Sequence, residues 1–203
     1  MSTLLRSAVF GLLVLACAAA HGAGALRIGT TPVFLDDQAA FLKAWGRYIE
    51  KRIARPVRFV QRGSYREITE LMRRGDLDLA WMCSPPYLNN RDRVQLAVVP
   101  VFRGKPLYQS YLIVPASDTR TSGFADLKGA IYAFSDPDSN SGWLAPQVEL
   151  RRTHLDGATL FKRTFFTFAH KKVVEAVAVG LAQGGSVDGY VWETLALLHP
   201  EVT

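Results

Sequence analysis

Residues 130–146 read AIYAFSDPDSNSGWLAP, and this stretch decides the fold that we expect. An apolar run typical of a buried strand comes first, a loop of small polar residues follows, and the segment after the loop has helical composition. The loop contains Ser139, Asn140, Ser141 and Gly142, which supply more hydrogen-bond donors than a turn requires. At the start of a helix, such donors and the helix dipole favour a bound anion. An ordinary helix N-cap, for which one serine suffices, explains the loop equally well.

The same alternation of strands and helices extends in both directions from this stretch. Strands are predicted at 26–33, 57–61, 77–84, 95–102, 108–115, 130–135, 163–168 and 187–192, and helices at 41–53, 64–74, 124–129, 143–152 and 172–183. The runs 77–84 and 95–102 are almost continuously apolar, which is typical of strands covered on both faces. Alternating strands and helices with short turns predict an α/β fold with a mostly parallel sheet.

The ends of the second helix are marked by residue type. Ser64 and Glu67 have the spacing of a capping box, in which each side chain satisfies a backbone amide. Gly75 is placed to end this helix in the left-handed conformation. The tripeptide Arg74-Gly75-Asp76 is therefore interpreted as a helix end rather than as an adhesion motif.

Composition limits the class of protein. The chain has 203 residues, of which 49% are hydrophobic and 21% charged, as in a globular protein. We expect two α/β blocks, residues 26–105 and 106–203. The net charge is +6, but the basic residues are scattered rather than interleaved with aromatic residues. A solvated basic surface is favoured over a nucleic-acid interface, and no nucleic-acid partner is expected.

The N-terminus has the pattern of an export signal. Residues 1–25 contain one arginine, an apolar run over 8–20 and the sequence Ala-Gly-Ala at 23–25, which fits a cleavage site. The apolar run is short for a membrane span. Cys17 lies in a loose bacterial lipobox, so a lipid anchor is the alternative to simple secretion. The membrane is otherwise expected to be reached only through a partner.

The residues give no support for catalysis. After processing, one thiol remains, Cys83, and its apolar surroundings favour a buried, inert state. The four histidines, at positions 21, 154, 170 and 199, lack metal-ligand spacing, and no nucleophile elbow or P-loop is present. An exported esterase or phosphatase is therefore disfavoured. No cofactor and no metal are expected.

Several stretches, in one order, resemble a known family. They are RIGTTP (27–32), GSYREITELMRRGDLDLAWMCSPPY (63–87), GKPLYQSYLIVPASD (104–118), GFADLKGAIYAFSDPDSNSGWLAP (123–146) and FAHKKVVEAVAVGLAQGGSVDGYV (168–191). Together they resemble the periplasmic substrate-binding proteins of ABC transporters for phosphonate, phosphite and phosphate, over nearly all of residues 26–203. Each motif alone is modest, and their ordered combination carries the resemblance.

The resemblance implies a type II periplasmic-binding-protein fold, in which two α/β lobes clamp a ligand in the cleft between them. It implies a periplasmic monomer that binds a small oxyanion, performs no chemistry on it and delivers it to a transporter permease. A ligand-sensing input module of the same fold is the alternative within the binding class.

The resemblance also assigns candidate site residues. Two tyrosines would line the cleft from the first lobe and the hinge, the 139–141 loop would bind the oxyanion, the histidine at 170 would complete the site, and the segment around residue 190 would contact the far end of the ligand. The predicted ligand-binding residues are Tyr65, Tyr108, Ser139, Asn140, Ser141, His170 and Tyr190. Taken from the residues alone, His170 could also be a capping or surface histidine, and Tyr108 an ordinary sheet aromatic.

Three features depart from the family pattern. Asn140 stands where the family usually has threonine, which exchanges a hydroxyl for an amide. Tyr190 and Trp192 are bulky where relatives often have small or acidic residues, which argues against an aminoalkyl phosphonate. The sequence stops at Thr203, whereas relatives run on and return to the first lobe. We therefore expect a first lobe that is incomplete at its C-terminal side, with reduced stability and weaker closure around a ligand.

Overall fold

The structure, a computed structural model, describes residues 24–33 and 39–203. The apolar run of the predicted export signal and Cys17 lie outside the described residues. Within the described part, no helix combines the length and the apolarity needed to cross a membrane.

The first part of the chain forms a parallel sheet with helices. Its elements are β1 (Leu26–Thr30), α1 (Ala39–Ile53), β2 (Val57–Gln61), α2 (Tyr65–Arg73), β3 (Leu79–Trp81) and α3 (Ser84–Leu88). The strand order is β2-β1-β3, and β1 is parallel to both neighbours. We call residues 24–33 and 39–88 the three-stranded lobe.

The second part forms a separate four-stranded sheet. Its strands and helices are β4 (Ser110–Ile113), β5 (Ile131–Phe134), α4 (Ala145–Arg152), α5 (Gly157–Leu160), β6 (Arg163–Phe166), α6 (His170–Ala178), β7 (Gly184–Asp188) and α7 (Gly189–Leu198). Short 3-10 turns lie at Phe124–Leu127 and Pro200–Val202, and a wide π-type turn at Asn140–Leu144 leads into α4. The strand order is β4-β7-β5-β6, with β4 antiparallel to β7. We call residues 110–202 the four-stranded lobe.

The four-stranded sheet is covered by apolar side chains on both faces. Because side chains alternate along a strand, Ala133 faces one layer while Tyr132 and Phe134 face the other. The first layer contains residues of α6, of β7, of α7 and of the segment between α6 and β7, namely Val173, Val174, Val177, Ala182, Val187, Val191 and Leu195. The second contains Leu127, Leu150, Leu160 and Phe161. This packing fixes the ends of β5 and β7, where polar residues follow.

The two helix-end predictions largely hold. Ser64 is the N-cap of α2, and its hydroxyl accepts the Glu67 backbone N–H at 3.3 Å. The Glu67 carboxylate contacts the Ser64 hydroxyl at 3.0 Å, so this contact occupies the side chain that the capping box would place on the Ser64 amide. Gly75 follows the helix with φ +74°, which is the left-handed conformation expected of it.

The prediction of a strand at 95–102 is wrong. These residues form no strand, and only an isolated bridge joins Phe102 to Lys105. Val98 is 83% exposed, so the apolar run has no second layer to pack against among the described residues. The predicted strand at 77–84 is shortened to Leu79–Trp81, and Ser84 already begins α3.

The predicted strand at 187–192 is correct only for Val187 and Asp188, because residues from Gly189 onward form α7. Strand β7 ends at Asp188, whose carboxylate accepts the Tyr190 backbone N–H at 2.8 Å and thereby caps α7. Val191 and Leu195 are spaced four residues apart and are both buried, which is the helical pattern. The alternation in VDGYVW resembled a strand because the last two residues of β7 and the first turn of α7 meet at the cap.

Candidate functional site

The loop after β5 is held in a wide turn. Ser139 is its N-cap, and its hydroxyl accepts the Gly142 N–H at 3.0 Å. The ordinary capping role of this serine therefore holds. A Cβ at position 142 would lie 1.8 Å from Ser135 Oγ and 3.0 Å from His170 Cε1, so a glycine is needed for the loop to close against those side chains.

His170 begins α6 and is fully buried, so the surface alternative for this residue is wrong. The Asp188 backbone N–H donates to His170 Nδ1 at 3.0 Å, and burial lowers the pKa of the imidazole to about 3. The ring is therefore neutral, and its proton sits on Nε2. Nε2–H faces three hydroxyl oxygens, Tyr65 Oη at 3.2 Å, Ser139 Oγ at 3.3 Å and Ser135 Oγ at 3.5 Å.

Tyr65 brings the three-stranded lobe into this cluster. It is the first residue of α2 and is fully buried. Its hydroxyl contacts His170 Nε2, and its backbone N–H donates to Asp136 Oδ2 at 3.1 Å. Both ends of the residue therefore reach across to the four-stranded lobe. Burial raises the pKa of the Tyr65 hydroxyl, which stays protonated and available as a donor.

The second tyrosine approaches from the segment between the lobes. Tyr108 precedes β4, so it is not an ordinary sheet aromatic. Its hydroxyl accepts the Asn140 Nδ2–H at 3.1 Å, and burial raises the pKa of that hydroxyl. The Tyr190 ring lies 5.1 Å from the Tyr108 ring, but its own hydroxyl donates to the Leu107 carbonyl at 3.2 Å. The Tyr190 side chain therefore contacts the cluster through its ring alone.

Ser141 is tied to a buried acid that the sequence did not reveal as part of the site. Its hydroxyl donates to Asp188 Oδ2 at 3.4 Å, and its carbonyl accepts the Ser110 hydroxyl at 2.6 Å. Burial raises the pKa of Asp188 to about 6, although hydrogen bonds to its carboxylate oppose the shift. One carboxyl that is partly protonated near neutral pH thus adjoins the loop donors.

Cys83, expected from the sequence to be a buried thiol, also contacts this cluster. Its Sγ–H donates to Tyr65 Oη at 3.7 Å. Burial raises the pKa of the thiol, and the hydrogen bond from the Asn140 backbone N–H opposes that rise. The sulfur therefore receives one of the loop amides that were predicted to face an anion.

The structure thus brings together six of the seven predicted side chains, with Tyr190 at the margin. The cluster offers hydroxyl, amide and imidazole donors around a buried point between the lobes, and it contains no cation among the described residues. The neutral His170 is a poor base for a serine hydroxyl, because Nδ1 is engaged by a backbone amide and Nε2 already carries the proton. The arrangement is built to donate hydrogen bonds, which suits anion binding.

Comparison with known proteins points the same way. The family model described as "ABC transporter, phosphonate, periplasmic substrate-binding protein" matches residues 28–203. The phosphate-import protein PhnD of Mycolicibacterium smegmatis is 34% identical over 109 residues, which is 51% of this chain and 34% of that protein. The chain thus spans about a third of that curated relative.

Two solved structures share the fold. A binding protein component of an ABC phosphonate transporter from Pseudomonas aeruginosa matches with a TM-score of 0.79 and 22% identity, covering 88% of this chain and 62% of that one. PhnD1 from Prochlorococcus marinus in complex with methylphosphonate matches with a TM-score of 0.76 and 21% identity, covering 88% and 69%. The predicted type II periplasmic-binding-protein fold is confirmed by these likenesses.

Proposed function

Because the chain belongs to the family of periplasmic substrate-binding proteins of phosphonate ABC transporters, we propose that it binds a small phosphorus oxyanion for uptake. Phosphate, phosphite and short alkylphosphonates are the ligands proposed. Members of this family act outside the cytoplasm as transport components rather than as enzymes. Delivery to a membrane permease follows from the family and is part of the proposal.

The observation that carries the proposal is the neutral His170 imidazole, whose Nε2–H contacts hydroxyl groups from both lobes. Nε2–H is surrounded by Tyr65 Oη, Ser139 Oγ and Ser135 Oγ, and each hydroxyl has a proton of its own to donate. An oxyanion between the lobes would accept these protons and would hold the lobes together. Neutral donors in a buried site bind an anion without an ion pair, as at helix N-termini.

Asp188 supports a preference for phosphorus over sulfur oxyanions. Phosphate and phosphonates carry an acidic P–OH near neutral pH, whereas sulfate and sulfonates do not. The Asp188 carboxylate lies 3.4 Å from the Ser141 hydroxyl, and can accept a proton that a P–OH donates. A fully ionised sulfonate would face this carboxylate with no proton to offer, and repulsion would oppose its binding.

Two other functions are less well supported. Hydrolysis would need His170 as a base, and its tautomer and low pKa oppose that role. The family relationship favours transport over a sensory input module, and no contact in the cluster favours the latter.

Calorimetric titration with phosphate, phosphite, methylphosphonate and methanesulfonate tests the proposal. We expect binding of at least one phosphorus oxyanion, no detectable methanesulfonate binding, and at least a tenfold loss of affinity in Ser139→Ala, in which a donor and the helix cap are removed. Ser117→Ala, at an exposed position outside the cluster, is the matched control. Failure of all three phosphorus ligands to bind, or equal losses in the two variants, would overturn the proposal.

A further inference from the structure

A cavity lies between the lobes, beside the cluster described above. Its volume is about 530 Å³. Three segments line it: the end of β1 with the turn that follows (30–32), the β2–α2 loop (61–63), and the start of α6 with Ala169, Lys171, Lys172 and Glu175. Gly63 is two residues before Tyr65, and Ala169 and Lys171 flank His170, so this cavity adjoins the backbone that carries two cluster residues.

The charges around this cavity are mainly positive. Arg62 comes from the three-stranded lobe, and Lys171 and Lys172 come from the four-stranded lobe. None of the three forms an ion pair among residues 24–33 and 39–203, although Glu175 lies one helical turn after Lys171. Cations brought together from two lobes repel one another, and an anion between them would reverse that repulsion.

Two hydroxyls in the wall of the cavity are buried and unsatisfied. Thr30 and Thr31 are 1% and 2% exposed, and the Oγ1 atom of each has no hydrogen-bond partner within the described part of the chain. A buried hydroxyl without a partner costs about 1–3 kcal/mol. Two adjacent ones at the carboxyl end of β1, where ligands of parallel sheets bind, indicate a missing acceptor.

Helix α6 begins at this cavity, and no side chain caps its N-terminus. The N-cap of α6 is Ala169, which has no side chain able to accept the first amides, and the first turn contains no acidic residue. Lys171 and Lys172 occupy that first turn. The first amides, which no side chain caps, the helix dipole and the two ammonium groups therefore act in the same direction.

We propose that this cavity binds a second anionic group, a carboxylate or a phosphate, recognised by Arg62, Lys171 and Lys172 with the hydroxyls of Thr30 and Thr31. The group is either a second substituent of a ligand held in the neighbouring cluster or a free anion. The site is distinct from the donor cluster, because three cations line it, whereas the donor cluster contains carboxylates and no cation among the described residues. Ligands with two anionic ends are therefore favoured over those with one.

Calorimetry with inorganic phosphate, methylphosphonate and phosphonoacetate distinguishes these sources. If one ligand spans both sites, phosphonoacetate binds about tenfold more tightly than methylphosphonate, as one additional charge-assisted contact provides. If a free anion occupies the cavity, phosphate binds with a stoichiometry of two. The double variant Lys171→Gln/Lys172→Gln is expected to remove the tighter binding of phosphonoacetate or the second bound phosphate, whichever the parent shows. Lys43→Gln, at an exposed lysine on α1, is expected to leave that result unchanged.

Amide NMR spectra provide a readout that does not depend on overall affinity. Phosphate is expected to shift the amide resonances of Thr30, Thr31 and Lys172 in the parent and not in the double variant. Thr31→Val, which is nearly isosteric, should weaken the second event severalfold without unfolding the chain. An unchanged preference and unchanged amide shifts in the double variant would overturn this inference. Absence of methylphosphonate binding, with phosphate still shifting these amides, would contradict the proposed function and support the second site.

Discussion

The two lobes alternate strands and helices in the same way, yet they differ in how much apolar surface they bury. In the four-stranded lobe, aromatic and aliphatic layers cover both faces of the sheet. In the three-stranded lobe the buried apolar residues are few, and they are Ile28, Leu42, Tyr65, Ile68 and Leu77. One lobe therefore supplies a packed frame for His170, Ser139 and Asp188, while the other presents Tyr65 and Cys83 from a smaller core. The four-stranded lobe thus supplies most of the donor cluster on a well-packed frame, and the less densely packed three-stranded lobe completes it.

The largest expected effect follows from this difference in packing. Leu195 is fully buried in the four-stranded lobe, whereas Leu107, in the segment between the lobes, is 74% exposed. Leu195→Ala should lower the free energy of unfolding by about 2–5 kcal/mol, because it leaves a cavity. The same change at Leu107 should stay within about 0.5 kcal/mol. Urea unfolding measures both, and comparable losses would show that the segment between the lobes is packed as firmly as the core.

Acid titration tests the burial of two groups in the donor cluster, His170 and Asp188, whose protonation has opposite effects on the stability of the fold. Folded His170 has a pKa of about 3 against an ordinary 6.5, so its contribution to stability is lost as the pH falls below 6.5. Asp188 has a pKa of about 6 against 3.8, so the folded state gains a proton first and is stabilised as the pH falls through 6. The two effects oppose each other in the parent protein.

Replacing either group should reveal the effect of the other on the pH dependence of stability. Asp188→Asn keeps an N-cap residue on α7 but cannot titrate. Between pH 7 and pH 4, this variant should lose about 2 kcal/mol more stability than the parent, at about 1.4 kcal/mol for each shifted pKa unit. His170→Gln should differ from the parent in the opposite direction. Parallel stability curves for all three proteins would mean that neither group is buried as described.

A smaller effect is expected at the contact between the lobes. Tyr65→Phe removes the hydroxyl that meets His170 Nε2 but keeps the ring in its buried position. Phosphate affinity should fall by about tenfold to a hundredfold, since one hydrogen bond to a charged group contributes about 1.5–3 kcal/mol. Tyr87→Phe, on α3 of the same lobe, is the matched control. Equal affinities for the two variants would place the anion away from Tyr65.

The smallest expected effect concerns the thiol from the less packed lobe. Cys83→Ser exchanges a weak donor for a stronger one at the Tyr65 hydroxyl and the Asn140 amide. Affinity for phosphate should change by no more than about threefold, because a net hydrogen bond of this kind is worth about 1 kcal/mol or less. A loss of a hundredfold in the titration would show that the sulfur has a direct role in binding.

The sequence predicted those parts of the fold that depend on neighbouring residues. The strand, loop and helix of 130–152 and the cap at Ser64 are local patterns, and the structure has them. The two failed strands have different causes, a missing packing layer in one and a helix cap in the other. The run 95–102 is apolar enough for a strand but has no layer to cover it, and Asp188 ends β7 by capping a helix that alternating apolar residues concealed.

The candidate site shows the same division. Ser139 to Ser141 were identifiable as a surplus of donors in one loop, and Tyr65 and His170 through the family resemblance. The roles of Cys83 and Asp188 were not predictable, because each meets the loop through a contact between residues far apart in the chain. The spacing of Ser141 and Asp188, 47 residues, carries no local signal of their hydrogen bond.

Anion binding between the two lobes depends on a neutral His170 that donates from Nε2 into the shared site. Nitrogen-15 NMR of the imidazole, recorded from pH 7 to pH 5 during phosphate titration, tests this directly. We expect an Nε2–H tautomer that does not take up a second proton in this range and whose Nε2–H resonance shifts when phosphate binds. A histidine that titrates near pH 6.5, carries its proton on Nδ1 or ignores saturating phosphate would contradict the account.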